Sequence, residues 1–187
     1  MKKYLNFGSG IDYKKSDPAN DIEWVNLDNN PSYPVEVLFD FTTFPYPFED
    51  NTFDRVLMSH VFEHIDPNIN IKVLEELYRI CKPGAIIDIK CPHFSHFSAF
   101  GDLTHKKYFS SYVFENFSTD DNYYSSIAKF KVVTKRFDAI KIKDAFWKKL
   151  YCWFVNPIIN ISPLMTDQVL SKFFLVSEIR WELEVVK

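Results

Sequence analysis

The sequence predicts an α/β protein built on a largely parallel sheet, and three observations carry that reading. Four apolar runs early in the chain each stop at a glycine or a polar residue: 3–7 at Gly8, 23–27 at Asp28, 35–39 at Asp40 and 53–59 at His60. Short apolar runs bounded in this way are the pattern of buried strands. A helical pattern and a fifth apolar run follow the fourth, and strand, helix and strand in succession imply a right-handed crossover between parallel neighbours. Near the end, Trp181, Leu183 and Val185 alternate strictly with Arg180, Glu182 and Glu184, the half-exposed pattern of an antiparallel strand at a sheet edge.

Taken in order, KYLNF runs into the tight loop Gly8-Ser9-Gly10. The segment 70–81 is the clearest helix, with Leu74, Leu77, Tyr78 and Cys81 on one face and Lys72, Glu75, Glu76 and Arg79 on the other. Glu75 and Arg79 stand at the favourable i,i+4 spacing. Lys82-Pro83-Gly84 stops this helix, and 85–91 reads as a strand halted by Pro92. Residues 130–138 are β-rich. The aromatic stretch 145–165, with Phe146, Trp147, Leu150, Tyr151, Trp153 and Phe154, is interrupted by Lys148, Lys149, Asn156, Pro157 and Asn160. It is too short and too polar to span a membrane, and reads as core or a dimer contact, then as a lid, then as a membrane-surface face.

A chain of 187 residues with 47% apolar and 25% charged residues has the composition of one globular domain. With 22 Lys plus Arg against 25 Asp plus Glu, the net charge of -3 gives no field to draw it onto nucleic acid. Cys81, Cys91 and Cys152 are odd in number and lack CxxC spacing, which argues for reduced thiols and a cytoplasmic protein. MKKYLNFGSG holds no signal-peptide apolar region.

Only four glycines occur, so the pair at Gly8 and Gly10 is informative. It lies where open α/β sheets bind ligands, and Asp28, 20 residues beyond Gly8, is at the spacing of an acid that accepts from ribose hydroxyls. Together they point to an adenosine-containing ligand. LNFGSG, Asp28, DFTTFPYPFEDNTFDRVLMSHVFEHI and ELYRICKPGAIIDI, in this order, resemble the class I S-adenosylmethionine-dependent methyltransferases, particularly the type 11 branch.

That resemblance implies a Rossmann-like sheet of seven strands, mostly parallel, with helices on both faces and the last strand antiparallel. It implies S-adenosylmethionine as cofactor, with Gly8, Ser9 and Gly10 around its methionine part, Asp28 on the ribose, Asp40 and Phe41 at the adenine, and Ser59 and His60 under the sulfonium. Asn6 stands where family members commonly carry an acid that helps hold the cofactor's amino group. The loop IDYKKSDPANDIE is too turn-rich for the family's usual long first helix. Residues 92–125 and 144–170 would be substrate-side or lid segments of a single domain.

All five histidines, His60, His64, His93, His96 and His105, fall just after the fourth and fifth strands. An imidazole can accept a substrate proton near neutral pH as a hydroxyl attacks the methyl group. His64, His93, His96 and His105 are the candidate bases. His93, His96, Asp102 and His105 are also close enough in sequence to hold a divalent metal that would orient and acidify vicinal hydroxyls. Plain local hydrogen bonding is the competing reading for each. His60-Val61-Phe62-Glu63-His64 fits the inverted zinc-protease pattern, which needs both histidines on a helix; here it follows a strand and meets Pro67. The expected reaction is methylation of a small-molecule hydroxyl, with a sugar or sugar nucleotide of surface-glycan biosynthesis as the acceptor and a homodimer as a possible assembly. A metal-dependent hydrolase and a non-catalytic cofactor-binding protein are the alternatives.

Overall fold

A computed structural model describes residues 1–117, 124, 126–139 and 146–187. Seven strands form one sheet: β1 (Lys2–Phe7), β2 (Ile22–Asp28), β3 (Val37–Leu38), β4 (Phe53–Ser59), β5 (Cys81–Pro92), β6 (Phe130–Ala139) and β7 (Val176–Val185). Their order is β3-β2-β1-β4-β5-β7-β6. The pairs from β3 through β5 are parallel, and β7 runs antiparallel to both β5 and β6, as expected of a mostly parallel sheet with its last strand reversed.

Helix α1 (Asn70–Ile80) makes the crossover from β4 to β5 and buries Val73, Leu74, Leu77 and Ile80. Its expected solvent face is partly buried as well. Glu76 accepts the Tyr46 N–H at 2.7 Å and pairs with Arg79, which also reaches Asp50 and the Phe48 carbonyl. Arg79 therefore turns to Glu76 rather than Glu75, because that pair also pins the 46–50 segment to the helix. β5 begins at Cys81, four residues earlier than expected. Gly84, at φ 76°, sits where the β4–β5 register shifts, so the Lys82-Pro83-Gly84 stop is a bulge inside a strand.

One sheet face is a continuous core of Leu5, Phe7, Leu27, Met58, Ile89 and Trp181, all buried. The opposite face is half-open. The β1–β2 crossover holds a single 3-10 turn, Pro18–Asn20, in place of a long helix, and the β2–β3 crossover holds none. On that face Asp88 accepts from Arg55 at 2.9 Å and also from Arg180, and Glu182 accepts from Arg55 at 2.7 Å. A paired charge network thus occupies the middle of the sheet where an uncovered apolar surface would be costly.

Helix α3 (Phe146–Ile159) lies along the outer edge of β6. Asn160, just past it, accepts the Phe137 N–H and donates to the Phe137 carbonyl, both at 2.8 Å, and Asn156 accepts the Ala139 N–H at 2.8 Å. Two asparagines four residues apart therefore satisfy a strand edge that would otherwise invite pairing with another chain. Trp153 and Phe154 face outward. Residues 118–123, 125 and 144–145 of the expected lid segments lie outside the described residues. Among the described residues no helix is long and apolar enough to cross a membrane.

Candidate active site

The carboxyl ends of the parallel strands gather two neighbouring features, a glycine-lined cradle and a histidine-lined cleft. In the cradle, the Gly8 and Ser9 N–H groups both donate to the Leu27 carbonyl, at 2.8 and 3.0 Å, which draws the turn across the end of β2. Gly8 (φ 69°) and Gly10 (φ 50°) adopt left-handed backbone. A Cβ at Gly8 would lie 2.4 Å from Val61 Cγ2, so the turn presses against the residue that follows His60.

Gly10 N–H donates to Asp28 Oδ2 at 2.7 Å and Asn30 N–H to Oδ1 at 2.9 Å. Asp28 is thereby held from both sides by backbone, and each carboxylate oxygen keeps capacity for a further bond. Ser9 Oγ is buried without a partner, and no atom lies within 4 Å of where a Gly10 Cβ would be. An orphaned hydroxyl and an open backbone cradle beside a fixed carboxylate fit the amino-acid and ribose parts of S-adenosylmethionine.

The remaining cofactor candidates are placed as follows. Asn6 is buried and donates both Nδ2 hydrogens inside the protein, to the Asp12 carbonyl at 2.8 Å and to Asn26 Oδ1 at 2.9 Å, so it anchors the loop beyond the cradle. Asp40 is exposed and accepts from the N–H and hydroxyl of Thr42. The Phe41 ring packs on Phe7, with centroids 5.3 Å apart, at the end of β1. Ser59, half-buried, ends β4.

His60 lies between two carboxylates, with Nε2 3.0 Å from Glu178 and Nδ1 3.2 Å from Glu63. The bond to Glu178, and after it the bond to Glu63, raise its pKa to about 9, so it is an imidazolium at neutral pH. Glu178 arrives because β7 is antiparallel and its first residues pair with the end of β5, Glu178 opposite Pro92. Phe62–His64 forms a 3-10 turn, and the inverted zinc-protease pattern has no helix beneath it.

The histidines separate by hydrogen bonding. His93 is wholly buried, with Nδ1 2.7 Å from Ser95 Oγ and Nε2 3.0 Å from Asp167, so neither nitrogen is left for a substrate or a metal. His96 accepts through Nδ1 from Ser98 at the start of helix α2 (Phe97–Gly101), which leaves a buried Nε2–H without an acceptor. Burial also pushes its pKa below the ordinary value.

His64 and His105 differ from both. His105 Nδ1 donates to the Ala99 carbonyl at 2.9 Å. Thr104 Oγ1 gives its one hydrogen to Asp102 at 2.6 Å and therefore accepts from His64 Nδ1 at 2.9 Å. Each neutral ring then keeps an Nε2 lone pair. The two rings meet edge to face, with centroids 4.7 Å apart.

The expected set His93, His96, Asp102 and His105 is thus not brought together, because the two earlier rings are committed to their own loop and to α4 (Pro163–Gln168). Among the described residues, the group whose ligand atoms lie within 4.8 Å of one another is Glu63, His64 and His105. A cleft of about 500 Å³ is lined by His60, Glu63, His64, Asp102, His105 and Glu178, with Phe97 at its rim. Glu178 is the lining residue to which the sequence assigned no place at the site. Glu63 had a signal in the HVFEH pattern; Glu178 had none before the strand register was known.

Residues 13–89 match the family model described as a methyltransferase domain. The chain as a whole has the fold of S-adenosylmethionine-dependent methyltransferases. A SAM-dependent methyltransferase from Archaeoglobus fulgidus superposes with a TM-score of 0.63 at 20% identity, over 98% of this chain and 86% of that one. The N-methyltransferase NodS from Bradyrhizobium japonicum, solved with S-adenosyl-L-homocysteine, gives a TM-score of 0.57 at 8% identity, over 100% and 79%. The [4+2]-cyclase SpnF gives 0.58 at 13% identity, over 99% and 74%, so the methyltransferase fold is shared with a protein named for other chemistry. Among proteins of curated function, none matches this sequence.

Proposed function

We propose that this protein is a methyltransferase that transfers the methyl group of S-adenosylmethionine to a hydroxyl of a small polar acceptor, a sugar or sugar nucleotide of surface-glycan biosynthesis, in the cytoplasm. The observation that carries the acceptor chemistry is the pair His64 and His105, which line a cleft beside the glycine cradle and bond to Thr104 and Ala99 through Nδ1. Val61 links the two features, since it touches Gly8 and its neighbours His60, Glu63 and His64 line the cleft. In the reaction the acceptor oxygen forms a bond to the methyl carbon as the carbon–sulfur bond breaks. Its electron pair goes to sulfur, leaving the neutral thioether, and the hydroxyl proton leaves through the His64–His105 pair.

The chain's contribution is to align donor and acceptor and to exclude water, because the sulfonium itself supplies the driving force. A cleft rich in carboxylates and imidazoles offers many partners for the hydroxyls of a sugar. Of the expected substrate-side segments, 92–125 lines the cleft through Phe97, Ser98, Gly101, Asp102 and His105.

Calorimetric titration with S-adenosylhomocysteine tests the cofactor half of this reading, and one-to-one saturable binding is the expected result. Transfer of a labelled methyl group to a panel of sugars and sugar nucleotides tests the acceptor half. His105→Gln should abolish transfer and leave cofactor affinity intact. Absence of cofactor binding overturns the proposal, and turnover unchanged in His105→Gln overturns the role of the pair.

A further inference from the structure

We infer that Glu63, His64 and His105 form a binding site for one divalent transition-metal ion in the acceptor cleft. With the ion bound, the Nε2 lone pairs of His64 and His105 are spent on it, and the acceptor proton, acidified by the cation, leaves to water instead of to the pair. That account of activation rests on the methyl-transfer reading, whereas the binding site stands without it. Glu63 is 1% exposed, and its Oε2 has no hydrogen-bond partner. A buried carboxylate oxygen left unbonded at the wall of a cleft is costly, and a cation is the partner that removes the cost. One ligand atom from each of the three residues lies within 4.8 Å of the others.

The surroundings are those of metal-binding histidines. His105 gives its Nδ1 hydrogen to a backbone carbonyl, and His64 gives its own to Thr104, which is held in turn by Asp102. Metal-ligating imidazoles are oriented in this way by the hydrogen bond of the other nitrogen. Glu63 Oε1 is steadied by His60. Three carboxylates, Glu63, Asp102 and Glu178, stand against His60 and Lys90 in and beside the cleft, which leaves an excess of negative charge for a cation. Two imidazoles and one carboxylate suit Mn, Fe(II), Co or Zn over Mg or Ca, and leave coordination positions for the oxygens of an acceptor diol.

The test uses tag-free full-length protein stripped by a chelator and titrated with Co²⁺ alone, followed by calorimetry and by the visible absorption of the bound ion. One Co²⁺ per chain is expected. Glu63→Gln and His105→Gln should each weaken binding at least about tenfold, and Thr104→Val, which alters no ligand and sits at the surface, by about 10- to 100-fold. S-adenosylhomocysteine affinity, measured on every variant, reports that the cradle is folded. Where a ligand variant loses that affinity, Thr104→Val decides. No saturable binding up to about 1 mM Co²⁺, an affinity too weak for a built site, overturns the inference. So does binding left unchanged by Glu63→Gln and by Thr104→Val. Cation binding without cofactor binding would keep the site and remove the methyl-transfer reading; the reverse would remove the site alone.

Discussion

Replacing Gly8 with alanine separates two costs that the fold imposes at one atom. At φ 69° an L-residue costs about 1–2 kcal/mol over glycine. The new Cβ would also lie 2.4 Å from Val61 Cγ2, and Val61 is buried, so it has little room to withdraw. Overpacking of this kind costs about 1–3 kcal/mol. Gly8→Ala should therefore lose about 2–5 kcal/mol, a large share of the roughly 5–15 kcal/mol that stabilises a domain. Gly10→Ala is the control: φ is 50° but nothing lies within 4 Å of its Cβ, so only the backbone cost of about 1–2 kcal/mol applies. Val61→Ala alone should cost about 1–3 kcal/mol in lost burial. The Gly8→Ala/Val61→Ala double variant should fall short of the sum of the two by about 1–3 kcal/mol, because both Cγ contacts are gone and the remaining approach is the Val61 Cβ at 3.3 Å. Urea unfolding at constant m-value measures all four. If Gly8→Ala costs no more than Gly10→Ala, or the double variant equals the sum, Val61 does not fix the cradle.

Other perturbations address the remaining assignments. Asp28→Asn should weaken S-adenosylhomocysteine binding by about 1.5–3 kcal/mol, because it removes the charge that accepts from Gly10 N–H and that, in the proposed complex, would accept from a ribose hydroxyl; calorimetry reads it directly. Asn160→Ala strips the partners from both polar groups of Phe137, and should cost about 1–3 kcal/mol and raise light scattering as the β6 edge is freed. Asp167→Ala should destabilise by about 3–5 kcal/mol, since it leaves buried His93 and Ser111 without their acceptor. Burial alone would raise the Asp167 carboxyl, but the bonds from His93 and Ser111 prevail and hold it below the usual range. Its contribution is therefore fully present above about pH 4 and lost as pH falls through the depressed value. Wild type and Asp167→Ala should converge in stability under acid unfolding.

The strands and the α1 helix were legible because their signals are local. Each apolar run ended where its strand ends or within two residues of it, and the glycine pair with Asp28 gave the cradle its two halves before any contact was known. Side-chain commitments at longer range were not legible. Glu76 belongs to the polar face by helical spacing, yet its partner is an N–H 30 residues away. His93 and His96 look equivalent to His105 along the chain, but a ring's use depends on what its other nitrogen touches, and for His93 that is Asp167, 74 residues on. Glu178 could be placed only once the β5–β7 register was known.

That register also sets an order of assembly during synthesis. β7 is the last strand made and the one that must enter between β5 and β6. A nascent chain halted before residue 176 would hold β6 without a neighbouring strand and β5 with a bare edge. It would lack Glu178, one of the two carboxylates that hold His60 charged. The contacts that shape the cradle are drawn from residues 8–61 and include none from β7. Strand insertion is therefore the step that adds Glu178 to the cleft, after all the residues of the cradle have been made.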